Sequence, residues 1–145
     1  MRATAGSGSI HAIGIAGGLT ASSGSGNIKL KQTAAGDVEI STGSGDIEIR
    51  GAKGAVKATT GSGSISTQGQ PTGEWRLRSG SGDVTAELPK EAAFDLVARS
   101  SSGNIETTHE MTVQGTLSRH ELHGKVHGGG VLVDLSTSSG TINIR

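Results

Sequence analysis

The sequence predicts an all-β protein, a parallel β-solenoid of about eight coils with about 18–19 residues per coil, on the strength of three observations. A Gly-Ser phrase recurs at nearly constant spacing, and an aliphatic β-branched residue stands two positions after each recurrence. The third observation is that 145 residues hold one Trp, one Phe and no Tyr, too few aromatics for a conventional globular core.

The phrase is clearest at Thr42 to Arg50, "TGSGDIEIR", and returns as "AGSGSIHAI", "SGSGNIKLK", "TGSGSISTQ", "SGSGDVTAE", "SSGNIETT" and "SSGTINIR". Its second Gly falls at 8, 26, 45, 63, 82, 103 and 140, which by subtraction gives steps of 18, 19, 18, 19, 21 and 37. The last step has the length of two coils. Two residues after each Gly come Ile10, Ile28, Ile47, Ile65, Val84, Ile105 and Ile142, the expected core ladder. Ala12, Leu30, Ile49, Thr67, Ala86, Thr107 and Ile144 follow at the next alternate position, with polar residues between. That is period-two strand alternation, so each phrase is a turn followed by a short strand.

A second strand precedes each phrase, with inward pairs Leu19/Ala21, Val38/Ile40, Val56/Ala58, Trp75/Leu77, Leu96/Ala98 and Val133/Leu135. Two strands joined by Gly corners make one coil. The glycines supply backbone angles that a side chain resists. Asp, Asn, Ser or Thr at 9, 27, 46, 64, 83, 104 and 141 can hydrogen-bond neighbouring backbone at the corner.

The outward columns form the surface that other molecules meet. On one face the column is His11, Lys29, Glu48, Ser66, Thr85, Glu106 and Asn143; on the other it is Thr20, Glu39, Lys57, Arg76, Val97 and Asp134. Lys29 with Glu48, and Glu39 with Lys57, are expected to pair across strands. These mixed, charged columns differ from the regular Thr ladder of an ice-binding solenoid. Two regions break the rhythm. "LPKEAAFD", Leu88 to Asp95, lengthens one coil and suggests a protruding loop with Phe94 tucked back, and residues 108–130 are expected to carry a coil with the phrase erased.

Lys plus Arg and Asp plus Glu are equal at 13 each, which argues against electrostatic capture of nucleic acid or of an anionic membrane. No apolar run approaches the roughly 20 residues of a membrane span, so direct membrane insertion is not expected. Zero Cys excludes disulfides and thiolate metal sites. Met1 reads as a start placed on an excised domain. Residues 1–145 are thus expected to be a single β-solenoid domain of a longer chain, with signal or anchor absent from this fragment.

The repeated Ser/Thr-Gly-Ser-Gly-Asp/Asn-Ile-x-Ile phrase, closing in "LHGKVHGGGVLVDLSTSSGTINIR", resembles the putative adhesin family of bacterial β-strand-repeat proteins, a domain of unknown function. The resemblance covers nearly the whole chain. It implies a single-stranded β-helix in extracellular or cell-envelope proteins called adhesin-like, and it brings no established catalytic residues.

The residues themselves offer few chemical sites. "HELHGKVH" places His120, His123 and His127 in a metal-like spacing, although strand alternation sets His120 on the other side from His123 and His127. "GSGD" differs from the calcium-binding β-roll repeat because Asp follows Gly directly. The Gly-rich turns open strands rather than helices, so they are not phosphate loops, and Gly128, Gly129 and Gly130 are expected to form a corner or bulge. Lys57, Arg76, Arg78 and Arg99 are a candidate anion patch beside Glu39 and Glu74. No paired carboxylates in an aromatic-lined groove and no nucleophile elbow are evident, so no enzyme and no cofactor are expected.

Two functions compete. One is an adhesin-like binding or display module whose partner is a cell-surface glycan or protein. The other is self-assembly, in which a solenoid with uncovered end strands stacks head-to-tail into fibres.

Overall fold

Alternating apolar residues and Gly corners give strands throughout. The computed structural model describes residues 2–15, 18–32, 36–70, 73–88, 93–107, 112–113, 121–126 and 130–144, and every element among them is a strand. In chain order these are β1 (Arg2–Ser7), β2 (Ile10–Ile15), β3 (Leu19–Ser25), β4 (Ile28–Gln32), β5 (Val38–Ser44), β6 (Ile47–Lys53), β7 (Val56–Ser62) and β8 (Ile65–Gln70). There follow β9 (Trp75–Ser81), β10 (Val84–Glu87), β11 (Phe94–Ser100), β12 (Ile105–Thr107), β13 (Thr112–Val113), β14 (Glu121–Val126), β15 (Val131–Ser139) and β16 (Ile142–Ile144).

The strands form two sheets, one on each side of a narrow core. Sheet A runs β1-β3-β5-β7-β9-β15-β11-β14-β13 and sheet B runs β12-β16-β10-β8-β6-β4-β2. Successive coils pair in parallel with aliphatic residues in register, as in Ile10↔Ile28, Ile28↔Ile47, Ile47↔Ile65 and Ile65↔Val84. Ile28, Ile47, Ile65, Val84 and Ile142 are buried, whereas Ile105 on the edge strand β12 is half-buried. Trp75 and Phe94 are wholly buried in sheet A, and Trp75 Nε1 donates to Gly54 O at 3.2 Å.

The order of coils departs from the order of the sequence. The last coil, β15 with β16, lies between β9/β10 and β11/β12, as the pairs Val133↔Trp75 and Val133↔Leu96 show. Seven coils are stacked among the described residues, against the eight expected. Within the stretch read as an erased coil, residues 112–113 and 121–126 instead form strands that run antiparallel, β14 against β11 and β13 against β14. From β10 to β11 the chain passes over one coil's place, two strand spacings or roughly 10 Å instead of one. Phe94 begins β11 and is tucked into the core, as expected; residues 89–92, where the protruding loop was expected, lie outside the described set.

This order also corrects the expectation of uncovered end strands for the last strand of the sequence. Strand β16 is paired on both sides, with β10 and β12. The outermost strands are β1 and β13 in sheet A and β2 and β12 in sheet B.

Coil-to-coil fixation at the corners is polar. The inward position before each phrase carries Ser23, Thr42, Thr60, Ser79, Thr137 and Ser100, all buried. Their hydroxyls reach corner carbonyls, as in Ser79 Oγ to Gly63 O at 2.9 Å, Thr137 Oγ1 to Gly82 O at 3.1 Å and Thr60 Oγ1 to Gly45 O at 3.2 Å. The corner carboxamide and carboxylates accept from the next coil: Asp46 N donates to Asn27 Oδ1 at 3.1 Å, Ser64 N to Asp46 Oδ1 at 2.9 Å and Thr141 N to Asp83 Oδ1 at 2.9 Å.

Thr67 is the exception. It is wholly buried between Ile49 and Ala86 in sheet B, and its hydroxyl has no hydrogen-bond partner among the described residues. An unpaired buried donor costs about 1–3 kcal/mol, whereas removing a paired one exposes its partner to the same penalty. Thr67→Val is accordingly expected to raise the melting temperature and Thr60→Val to lower it. Two isosteric changes of opposite sign can be compared by thermal unfolding, and equal shifts would contradict this account.

Candidate functional site

Side chains that alternate outward along sheet B form two rows at the coil spacing. The first contains His11, Lys29, Glu48, Ser66, Thr85, Asn143 and Glu106; the second contains Ile13, Lys31, Arg50, Gln68 and Glu87. A bulge at Gly14, where φ is 74°, shifts the register between Ile13 and Ile15. Ile13 is 78 % exposed at a position where the neighbouring coils place polar or charged residues.

The charges on this face are not balanced locally. Glu48 was expected to pair with Lys29, but its Oε1 instead accepts from Arg50 Nε at 2.7 Å. Arg50 lies two residues along the same strand, on the same side, and its fork reaches the carboxylate directly. Neither Lys29 nor Lys31 then has an ion-pair partner among the described residues. Lys31 stands directly opposite Arg50 in the ladder, an arrangement of like charges that destabilises a sheet. His11 stands beside Lys29. Together His11, Ile13, Lys29, Lys31, Glu48 and Arg50 line a shallow hollow of about 220 Å³. It holds the cations Lys29, Lys31 and Arg50 against the single carboxylate of Glu48.

This cluster was missed in the sequence columns because they stop one alternate position short of Ile13, Lys31 and Arg50. Extending the same alternation by two residues reaches all three.

The candidate patch on sheet A is divided. Lys57 lies beside Arg76, but Arg76 Nη2 donates to Glu74 Oε1 at 2.7 Å and Asp134 stands on its other flank. Ser136 of the inserted strand β15 separates Arg78 from Arg99, and Arg99 Nε lies 3.9 Å from Glu121 Oε1. The four cations share a face without forming one cluster. The expected pair of Glu39 and Lys57 is in register, yet no ion pair joins them; both side chains remain in solvent, where such a contact has little to hold it. A larger hollow of about 640 Å³ opens here, but Asp37, Glu39 and Glu74 offset Lys57 and Arg76 along its wall.

Of the three candidate metal ligands, His123 lies on β14 with Nε2 2.6 Å from Glu121 Oε1. That contact, with Arg99 adding to it, holds the Glu121 carboxyl below the usual range for a glutamate. His120 and His127 lie outside the described residues, as do Gly128 and Gly129. Among the described residues no group of three His, Cys, Asp or Glu side chains is placed to hold a metal ion. Nor is any helix there long and apolar enough to cross a membrane.

A family model described as Toastrack DUF4097 matches residues 1–145. A solved structure described as a putative cell adhesion protein from Clostridium sporogenes is similar with a TM-score of 0.59 at 14 % identity, covering 99 % of this chain and 90 % of that one. At that identity the likeness shows a shared fold alone. No curated protein matches the chain.

Proposed function

Because the chain belongs to the Toastrack DUF4097 family, we propose that it is a non-enzymatic, adhesin-like binding or display module of the bacterial cell envelope. Its ligand is an anionic group on a cell-surface glycan or protein, and the sheet B hollow receives it. The observation that carries this reading is the Lys29, Lys31 and Arg50 cluster. It keeps like charges opposed across the ladder while its one carboxylate is already engaged by Arg50. Such an arrangement costs stability in the free protein and is relieved by an incoming anion. The structural neighbour is described as a putative cell adhesion protein, which is in keeping with this reading.

A rigid solenoid suits the task. The strands that carry the cations are fixed by the packed core, so the backbone does not have to be ordered when a ligand arrives and the entropy cost is confined to the exposed side chains. The repeat spacing, about 4.8 Å between coils, lets one polymer meet side chains from several coils in turn.

The test is binding to immobilised poly(glycerol phosphate), with neutral dextran as comparator. The wild-type chain is expected to be retained on the phosphate polymer and released by salt, since screening shortens from about 10 Å at 0.1 M to about 3 Å at 1 M. Changing Lys29→Glu and Lys31→Glu together should weaken retention about tenfold or more, given two reversed surface contacts of up to about 1 kcal/mol each. Arg78→Gln on the other sheet should leave it unchanged. Equal retention of the Lys29/Lys31 variant would remove the hollow from the proposal.

A further inference from the structure

The last coil occupies a slot made by earlier parts of the chain. Strand β15 pairs with β9 from Val133 to Ser139 and with β11 from Val131 to Thr137, while β16 pairs with β10 and β12. The fit is complete inside as well: Val133, Leu135 and Ile142 are wholly buried. Thr137 Oγ1 donates to Gly82 O on one side, and Ser100 Oγ donates to Gly140 O on the other. Without this coil, β9/β10 and β11/β12 would face each other as two unpaired parallel edges with an aliphatic floor between.

The tether to this coil is short and rich in glycine. Val126, at the end of β14, and Val131, at the start of β15, both stand beside Phe94 but on opposite sides of β11. The chain therefore crosses from one flank of β11 to the other within residues 127–130, whose sequence is His-Gly-Gly-Gly. A Cβ on Gly130 would lie 2.7 Å from Ala93 O, so Gly130 itself lies close against the start of β11.

We propose that the slot also accepts this coil from a second copy of the chain, giving coil-exchanged dimers and, when the exchange does not close, linked oligomers. Every contact of the coil with its slot is the same whether it comes from its own molecule or another. Only the tether changes conformation, and three consecutive glycines restrict it least. The balance between monomer and exchanged species is then set by tether geometry and by concentration.

The chain has no Cys, so introduced thiols report the exchange cleanly. Arg76 and Asp134 are register partners across β9 and β15 and point outward. Two single variants, Arg76→Cys and Asp134→Cys, are unfolded, mixed, refolded over a concentration series and treated with a short thiol cross-linker. The expected result is a covalent dimer joining the two variants, increasing with concentration. It should be absent when Lys29→Cys, on the opposite sheet, replaces Arg76→Cys. A cross-linked dimer that is absent throughout, or equally abundant with the Lys29 comparator, would overturn the proposal. A second variant needs no cross-linking. Deleting Gly128, Gly129 and Gly130 leaves two peptide steps, roughly 7 Å of reach, to span two strand spacings of roughly 10 Å. The coil can then no longer reach its own slot, and light scattering is expected to show dimers. A folded monomer from this deletion would count equally against exchange.

Discussion

Ile47→Asp is expected to abolish cooperative folding of the solenoid at its middle. Ile47 is 1 % exposed and stacks between Ile28 and Ile65, so the substitution removes an aliphatic side chain and puts a carboxylate into an apolar column. Losing the buried side chain alone costs about 2–5 kcal/mol. The buried charge adds more, because no cationic side chain is among the described core residues to neutralise it. Against a total stability of about 5–15 kcal/mol for an ordinary domain, the sum removes most or all of the margin. The damage spreads along the axis because each coil is stabilised only by its neighbours. Thermal unfolding followed by circular dichroism checks the outcome, with two comparators. Ile47→Val should cost about 1 kcal/mol, and Glu48→Ala, one residue away but facing outward, no more than about 1 kcal/mol for its exposed ion pair. A melting curve for Ile47→Asp like that of Glu48→Ala would show that the inward and outward positions had been assigned the wrong way round.

That assignment was legible in the sequence because solenoid strands carry their burial pattern in period two and repeat it every coil. The columns headed by Ile10 and Leu19 recur in the register of the ladders with no slip. What the sequence did not disclose was the order of the last coils. Ile105 and Ile142 have the same local pattern, and either could follow Val84; only the tertiary pairing chooses Ile142. Linear spacing cannot express an insertion, since the residues that decide it are far apart in the chain. The irregular steps of 21 and 37 residues were the visible trace. They were read as a longer loop and an erased coil, when they mark a skipped place and a strand pair that turns back.

The charged surface was legible to a smaller degree. Register places Lys29 beside Glu48, as the columns had it. Which cation the carboxylate chooses depends on side-chain reach, and Arg50 on the same strand wins. The pair that would have neutralised Lys29 is absent, and a net cationic hollow remains in a chain whose formal charge is zero. Overall neutrality argued against capture of polyanions at long range. It says nothing about a local cluster acting within a Debye length.

Gly63→Ala is the second change expected to have a large effect, and its comparison with Gly8→Ala separates two reasons for the same glycine. Both residues adopt the left-handed region, with φ of 129° at Gly63 and 118° at Gly8, so alanine is strained by about 1–3 kcal/mol at either site. Their surroundings differ. Around Gly8, in the outermost coil of this chain, an added Cβ meets nothing within 4 Å; at Gly63 it would lie 2.1 Å from Gly45 O. Gly45 O cannot move aside freely, because it accepts from Thr60 Oγ1, while Gly63 N is tied to Ser81 O at 2.9 Å. The overlap must be relieved by spreading two coils, which breaks ladder hydrogen bonds and opens the aliphatic column beneath. Gly8→Ala is therefore expected to cost only the backbone strain, and Gly63→Ala at least about 2 kcal/mol more, comparable to overpacking a rigid core. Chemical denaturation of the two variants measures the difference directly. Equal losses would mean that backbone conformation alone demands the glycine. A much larger loss at Gly63 would mean that close stacking of coil on coil is what keeps the Gly-Ser-Gly phrase constant along the rod.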